Sequence, residues 1–332
     1  MLSACAGTHE TQAAASPEET GPKGKVYYSF FDTVSYVYSY ANDTAERFDD
    51  LSADCANILA DYHRLCDIYH EYEDVPNLCT LNKNAGVAPV VLDERLLAFL
   101  RCAKDMYTQT DGEMNVMMGS VLSLWHEARE DGTYVPSDED LRAAALHTDI
   151  ELLELTDTTA YISDSDASID VGAFAKGYAA EMAANHLEEL GVTAYVLNVG
   201  GNIRIIGDKP DGSKWKTAVK DPLSPDSNFA AAIWLSDTSC VTSGVYERFY
   251  TVAGHRYHHI IDKDTLNPSE HFSSVTVVVK NSGTADALST ALFCMSEEEG
   301  KAVAEKFGAE VLWIYPDGKQ SMTPGMGDYF GE

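Results

Sequence analysis

Asp286 and Thr290 lie four residues apart in the apolar run Ala285-Asp-Ala-Leu-Ser-Thr290. That spacing predicts a carboxylate and a hydroxyl on one face of a helix. Both are hard oxygen ligands of the kind Mg²⁺ accepts beside water and substrate phosphate. The structural alternative is a helix acid near an N-terminus, where it complements the dipole. A second set of residues runs from Ile169 to Gly207. Asp170, Gly172, Ala173 and Gly177 lead into a helix over about 175–190, opened by Lys176 and stopped at Gly191. A short apolar strand then ends in Asn198-Val-Gly-Gly-Asn202. Glycine lets backbone approach a ligand closely. The amides around Asn198, Gly200 and Gly201 are therefore expected to receive a phosphate or pyrophosphate. A tight turn without a ligand is the alternative, and neither standard nucleotide-binding glycine motif occurs. Arg248 suits a phosphate or carboxylate, or a salt bridge to one of many acids. His258 and His259 are adjacent in a predicted strand and so face opposite sides. One is expected to pack or meet solvent, and the other to reach a site as proton shuttle or hydrogen-bonding group.

These segments together resemble the ApbE family, the FAD:protein FMN transferases. That family's pattern has a D-[LV]-G-[GA]-x-A-K-G-Y-A block, an N-x-G-G-[DN] turn, T-S-G-x-Y-x-R, H-I-[IL]-D and A-D-A-L-S-T-A. Here they fall at Asp170–Ala179, Asn198–Asn202, Thr242–Arg248, His259–Asp262 and Ala285–Ala291, in family order. The likeness extends from roughly Tyr27 to Pro316. It implies an enzyme that takes FAD as substrate and Mg²⁺ as cofactor. FMN would pass to a Thr or Ser hydroxyl of an acceptor redox protein carrying a flavinylation motif, with release of AMP.

The resemblance also implies roles. Asp286, Thr290 and the Ala173 carbonyl would hold the metal, and His259 rather than His258 would serve the chemistry. Phe31-Asp-Thr33 corresponds to a family M-G-T turn against the flavin dinucleotide, with Asp32 departing from the glycine. Glu113-Met114-Asn115 corresponds to an adenosine-holding stretch in which Asn115 replaces an Asp. Phe31 and Met114 are expected to pack against the adenine. Asp170, Lys176, Tyr246 and Arg248 are expected near flavin or phosphate, and Asp262 is expected to orient the turn after His259. Two other readings stand beside it: an FAD pyrophosphatase in the same pocket with water as acceptor, influenced by the Asn82–Asn84 loop, and, from another class, a flavin-binding lipoprotein that stores or delivers FAD without chemistry. The Asp286/Thr290 pair argues against mere storage.

Composition narrows the partners. Acids outnumber Lys and Arg 53 to 23 among 332 residues, a formal charge of −30. Such a surface repels nucleic acid and anionic lipid. An anionic dinucleotide must bind against that field, and a divalent cation would offset it locally. Leu2-Ser-Ala-Cys5 fits a bacterial lipobox, and residues 1–25 read as a disordered tether ahead of a transferase domain over 26–332. This suits an extracytoplasmic, lipid-anchored protein. No stretch approaches the roughly 20 apolar residues of a membrane helix. The remaining cysteines show neither C-x-x-C nor zinc spacing.

The positioning elements alternate between two periods. Strands are expected near 25–41, then a helix capped by Thr44 and running to about Tyr72. Helices follow near 93–109, 118–130 and 137–146, then short strands over 151–170. After the 175–190 helix come strands near 194–206, 215–220, 230–235, 247–252, 257–261 and 274–279. Helices near 284–295 and 297–307 precede a strand at 310–315. No composition break divides the chain. The expected fold is α+β: a single compact domain of mixed, largely antiparallel sheets with helices packed outside.

Overall fold

The first hairpin shows how alternation becomes architecture. In the computed structural model, which describes residues 21–224 and 228–331, Lys23–Phe30 (β1) and Thr33–Ser39 (β2) pair antiparallel. Ser35, Val37 and Ser39 are buried, whereas Tyr36 and Tyr38 stack on the opposite face with rings 5.7 Å apart. β1 starts at Lys23, so the expected tether boundary at residue 25 falls inside a strand. Cys5 and the rest of residues 1–20 lie outside the described residues.

Thr44 caps Ala45–Leu65 (α1), its hydroxyl accepting the Arg47 N–H. The helix stops at Leu65 instead of about Tyr72, because Asp67 folds the chain back by accepting the N–H groups of Tyr69 and His70. An unforeseen short helix, Leu78–Lys83 (α2), follows behind an Asn77 capping box. Val90–Val91 (β3) precedes Glu94–Gln109 (α3), Gly119–Asp131 (α4) and Asp138–Ala144 (α5). Leu153–Leu155 (β4) and Thr159–Ile162 (β5) complete a small sheet in the order β3-β5-β4.

Ala175–Glu189 (α6) leads into Tyr195–Val199 (β6) and Asn202–Ile206 (β7). Trp215–Lys220 (β8) and Phe229–Leu235 (β9) form a separate hairpin. Ser239–Gly244 (β10) was not foreseen as a strand. A second hairpin comprises Phe249–Val252 (β11) and His255–His258 (β12). The remainder is Ser274–Val279 (β13), Ser282–Cys294 (α7), Glu297–Phe307 (α8), Glu310–Ile314 (β14) and Gln320–Met322 (β15).

The main sheet has eight strands in the order β1-β2-β6-β7-β10-β13-β14-β15, each pair antiparallel. This is the expected α+β domain, with one difference. Helix α7 is not on the outside: Ala285 to Ser289 and Ala291 to Cys294 are all buried. It lies against β10 and β13 on one side and α6 on another. Asp286 is its only charged residue, and a helix apolar on every face is an interior helix. The six described cysteines are free, and all but Cys102 are buried.

Candidate active site

Two N-terminal helix turns cross at the centre of the site. Asp286 Oδ2 of α7 accepts the Gly177 N–H of α6 at 2.8 Å. A Cβ at Gly177 would collide with the Asp286 Cβ and the Ser282 carbonyl, so only glycine permits this approach. Asp286 is 4% exposed, a carboxylate held in the core rather than an acid on a helix surface. Burial pushes its carboxyl pKa up, against the Lys176 charge and the Gly177 N–H. Lys176 Nζ lies 3.6 Å from Asp286 Oδ2 and donates to the Gly172 carbonyl at 3.2 Å. Because the Gly177 N–H goes to Asp286, the Ala173 carbonyl has no hydrogen-bond partner among the described residues. Thr290, one turn after Asp286, is half-buried. One buried carboxylate, one hydroxyl and one free carbonyl form a hard-oxygen donor set. A different trio, His147, Asp164 and Asp166, also brings donor atoms within 4.8 Å of one another, but on other elements.

The hydrogen bonds separate the two histidines. His258 Nε2 donates to the Ser269 carbonyl at 2.9 Å, and its Nδ1 accepts the Ile260 N–H. Both nitrogens are used, so this ring is neutral and structural. His259 falls just beyond β12, not inside a strand. Its Nδ1 meets the Arg248 carbonyl at 3.2 Å. A carbonyl only accepts, so Nδ1 carries the proton and Nε2 is left as an acceptor. Burial, then the charge of Arg248, hold the His259 pKa down to about 3. Lys176 acts weakly in the same direction.

Both histidines line one small cleft between α4 and the β11–β12 hairpin, shared with Trp125, His126, Arg129 and Tyr257. His258 contributes to its wall as a packed ring with both nitrogens bonded, whereas His259 keeps Nε2 as an acceptor. Arg248 is exposed and has no ion-pair partner among the described residues. Asp170 accepts the Gly172 N–H at 2.9 Å and lies 3.9 Å from His126 Nε2. Asp262 orients its turn by accepting the N–H groups of Asp264 and Thr265.

The glycine turn is built differently from expectation. The Gly200 N–H donates to the Val34 carbonyl, and the Gly201 N–H to the Asn198 side chain. Neither amide is free for phosphate. Gly200, at φ +57°, is required instead because a Cβ would sit 2.6 Å from the Thr33 methyl. The turn thus docks on the β1–β2 turn, where Phe31 and Asp32 both have left-handed backbone, φ 53° and 52°. Two-residue hairpins of this kind favour Asn-Gly, so Asp32 stands where glycine would relieve strain. Phe31 is half-buried, its ring edge-on to His63.

Met114, expected against adenine, is 2% exposed and belongs to the core. Asn115 is also committed: its oxygen accepts the Met117 N–H and its amide donates to the Thr148 carbonyl. In the 113–115 stretch Glu113 is the one charged side chain. It pairs with Lys263 at 3.1 Å, while burial raises its pKa. Tyr246 is half-buried, with its phenol pKa raised by burial, and Lys220 lies 5.4 Å from its ring centre. His126 and Arg129 were missed because they are single polar residues on an amphipathic helix, outside any motif.

An α+β sheet whose helix crossing gathers oxygen donors and Lys176, with Arg248 unpaired among the described residues beside His259, defines a site suited to an anion. Residues 32–313 match the ApbE family, and the chain belongs to it. It is 32% identical to an FAD:protein FMN transferase of Vibrio cholerae over 270 residues, 79% of this chain and 80% of that one. The corresponding protein of Treponema pallidum is 32% identical over 268 residues, covering 76% and 74%. Among solved structures, the ApbE protein of Thermotoga maritima superposes with a TM-score of 0.84 at 25% identity, over 94% of this chain and 100% of that one. The flavin transferase ApbE of Vibrio cholerae does so with a TM-score of 0.79 at 28% identity, over 93% and 100%.

Proposed function

We propose that this chain is an enzyme that transfers FMN from FAD to a Thr or Ser hydroxyl of an acceptor protein, releasing AMP, and that it requires Mg²⁺. The observation that carries this reading is the buried Asp286 carboxylate on the Gly177 N–H, with Lys176 beside it and His259 within reach of the same charges. The transferases among its relatives support it. Asp286, Thr290 and the Ala173 carbonyl are the groups that would hold Mg²⁺. When bound, the metal supplies positive charge for the pyrophosphate oxygens, more strongly as charge develops.

The chain's own residues account for the rest. Arg248 and Lys176 draw an anionic pyrophosphate into an otherwise acidic protein. As the acceptor oxygen bonds to the phosphorus on the FMN side, His259 Nε2 takes the hydroxyl proton. The bond to the AMP phosphate breaks, and its electron pair leaves with AMP. A ring held at about pKa 3 is a weak base, mainly through burial and secondarily through the charge of Arg248. A pyrophosphate that pairs with Arg248 and Lys176 removes the lesser part of that depression and makes His259 a stronger base than in the free chain. The acceptor is a redox subunit with a flavinylation motif, and the Leu2–Cys5 pattern supports an extracytoplasmic, lipid-anchored location.

Mass spectrometry of enzyme, FAD, Mg²⁺ and acceptor tests this. Acceptor carrying FMN, with AMP in equal amount, is the expected result. Free FMN with unmodified acceptor would make the chain a pyrophosphatase, and unchanged FAD would leave it a binding protein.

A further inference from the structure

The helix crossing contains a second carboxylate that the reaction does not use. Glu181 lies one turn after Gly177 on α6, just as Asp286 lies one turn after Ser282 on α7. Its Oε2 accepts the Ser282 N–H at 2.7 Å. The two helices therefore cap each other reciprocally: Glu181 of α6 takes the first N–H of α7, and Asp286 of α7 takes a first-turn N–H of α6. Such N–H groups have no partner within their own helix, and they carry the positive end of its dipole. Glu181 is 5% exposed and anchored from beneath by Arg204, which is fully buried. Arg204 Nε donates to Glu181 Oε2 at 3.2 Å and Nη2 to Glu188 Oε1 at 2.7 Å. Arg204 stands on β7, the strand leaving the glycine turn. One ion pair thus links that strand to the start of the helix bearing Asp286 and Thr290.

We infer that Glu181 is a positioning residue for Asp286, fixing how far α7 slides and turns against α6 so that the Asp286 carboxylate meets a divalent cation in register. This rests on the assignment of the metal to Asp286 and Thr290. Without Glu181, Asp286 would make the one remaining hydrogen bond between α6 and α7 among the described residues, and the same carboxylate would have to cap α6, fix α7 and ligate metal. Groups that orient a metal ligand typically change metal affinity or activity about 10–100-fold when altered.

The test measures Mn²⁺ binding to the full chain by the electron paramagnetic resonance of free Mn²⁺, with AMP release and melting temperature recorded alongside. Glu181→Gln keeps the shape but removes the charge facing Arg204. It should weaken Mn²⁺ about 10–100-fold. Glu181→Asp, which restores the charge, should recover part of that loss. Ser296→Ala removes the cap of α8, a different helix, and should lower the melting temperature without changing Mn²⁺ affinity. Unchanged Mn²⁺ affinity in Glu181→Gln, or an equal loss in Ser296→Ala, would overturn the inference. If Glu181→Gln does not fold, Glu181→Asp decides: it must fold and still bind Mn²⁺ more weakly than the unaltered chain. If the unaltered chain transfers FMN yet binds no Mn²⁺, the positioning role falls while the transferase reading stands. If it neither binds Mn²⁺ nor cleaves FAD, the functional reading falls as well.

Discussion

The adjacent histidines have opposite hydrogen-bond economies, and that difference makes them separable by mutation. His259→Ala removes the ring whose Nε2 is free, and FMN transfer should fall about 10²–10⁴-fold, the usual contribution of a general acid or base. His258→Ala strands the Ser269 carbonyl and the Ile260 N–H inside the protein. It should cost about 1–3 kcal/mol of stability, with transfer near normal wherever the variant stays folded. Transfer rates at fixed Mg²⁺, read beside thermal melts, check both. Asp286→Ala should abolish turnover and also lower the melting temperature, because it leaves the Gly177 N–H unpaired. The meeting of Asp286 with the turn before α6, and the separate character of His259, were legible because these residues sit in dense sequence blocks. The roles of Gly200, Gly201 and Asn115 were not. Their polar groups are consumed by partners far along the chain, Val34 and Thr148 among them, and local spacing carries no trace of such partners.

Helix α7 and the β1–β2 hairpin show the same limits for whole elements. The helix was legible from its apolar run, yet its place in the interior depends on α6 coming close enough at Gly177. Gly177→Ala would push against Asp286 and the Ser282 backbone. It should destabilise by about 1–3 kcal/mol and reduce Mn²⁺ affinity with it, as a denaturant titration and metal binding would show. In the hairpin, Asp32 holds a left-handed backbone that an L-residue adopts at a cost of about 1 kcal/mol. Asp32→Gly should therefore raise the melting temperature. An unchanged or lower value would mean that the Asp32 side chain compensates for its backbone. Helix α1 was read too long because apolar spacing continues past Leu65, while the turn is set by one carboxylate, Asp67, acting on the N–H groups after it.

For the molecule as a whole, the neutral histidine sets a pH limit. His259 titrates near 6.5 in an unfolded chain and at about 3 in the fold. Between those values the unfolded state binds a proton that the native state does not. The contribution of this ring to stability is therefore full above about pH 6.5 and is lost as pH falls toward 3. His259→Gln should flatten that slope, which urea midpoints at pH 7 and pH 5 would reveal. The fold class was readable because one α+β domain is the natural outcome of such alternating periods. The strand order was not, since β10 lies between β7 and β13 through pairings that the local sequence does not specify. The contact between Gly177 and Asp286 closes a loop of 109 residues, and this has a consequence for synthesis. A ribosome makes the β1–β2 hairpin and α6 long before it makes α7. A nascent chain, or one clipped before residue 286, therefore lacks the carboxylate that meets the Gly177 N–H. The first turn of α6 waits without that partner until the last helices are made.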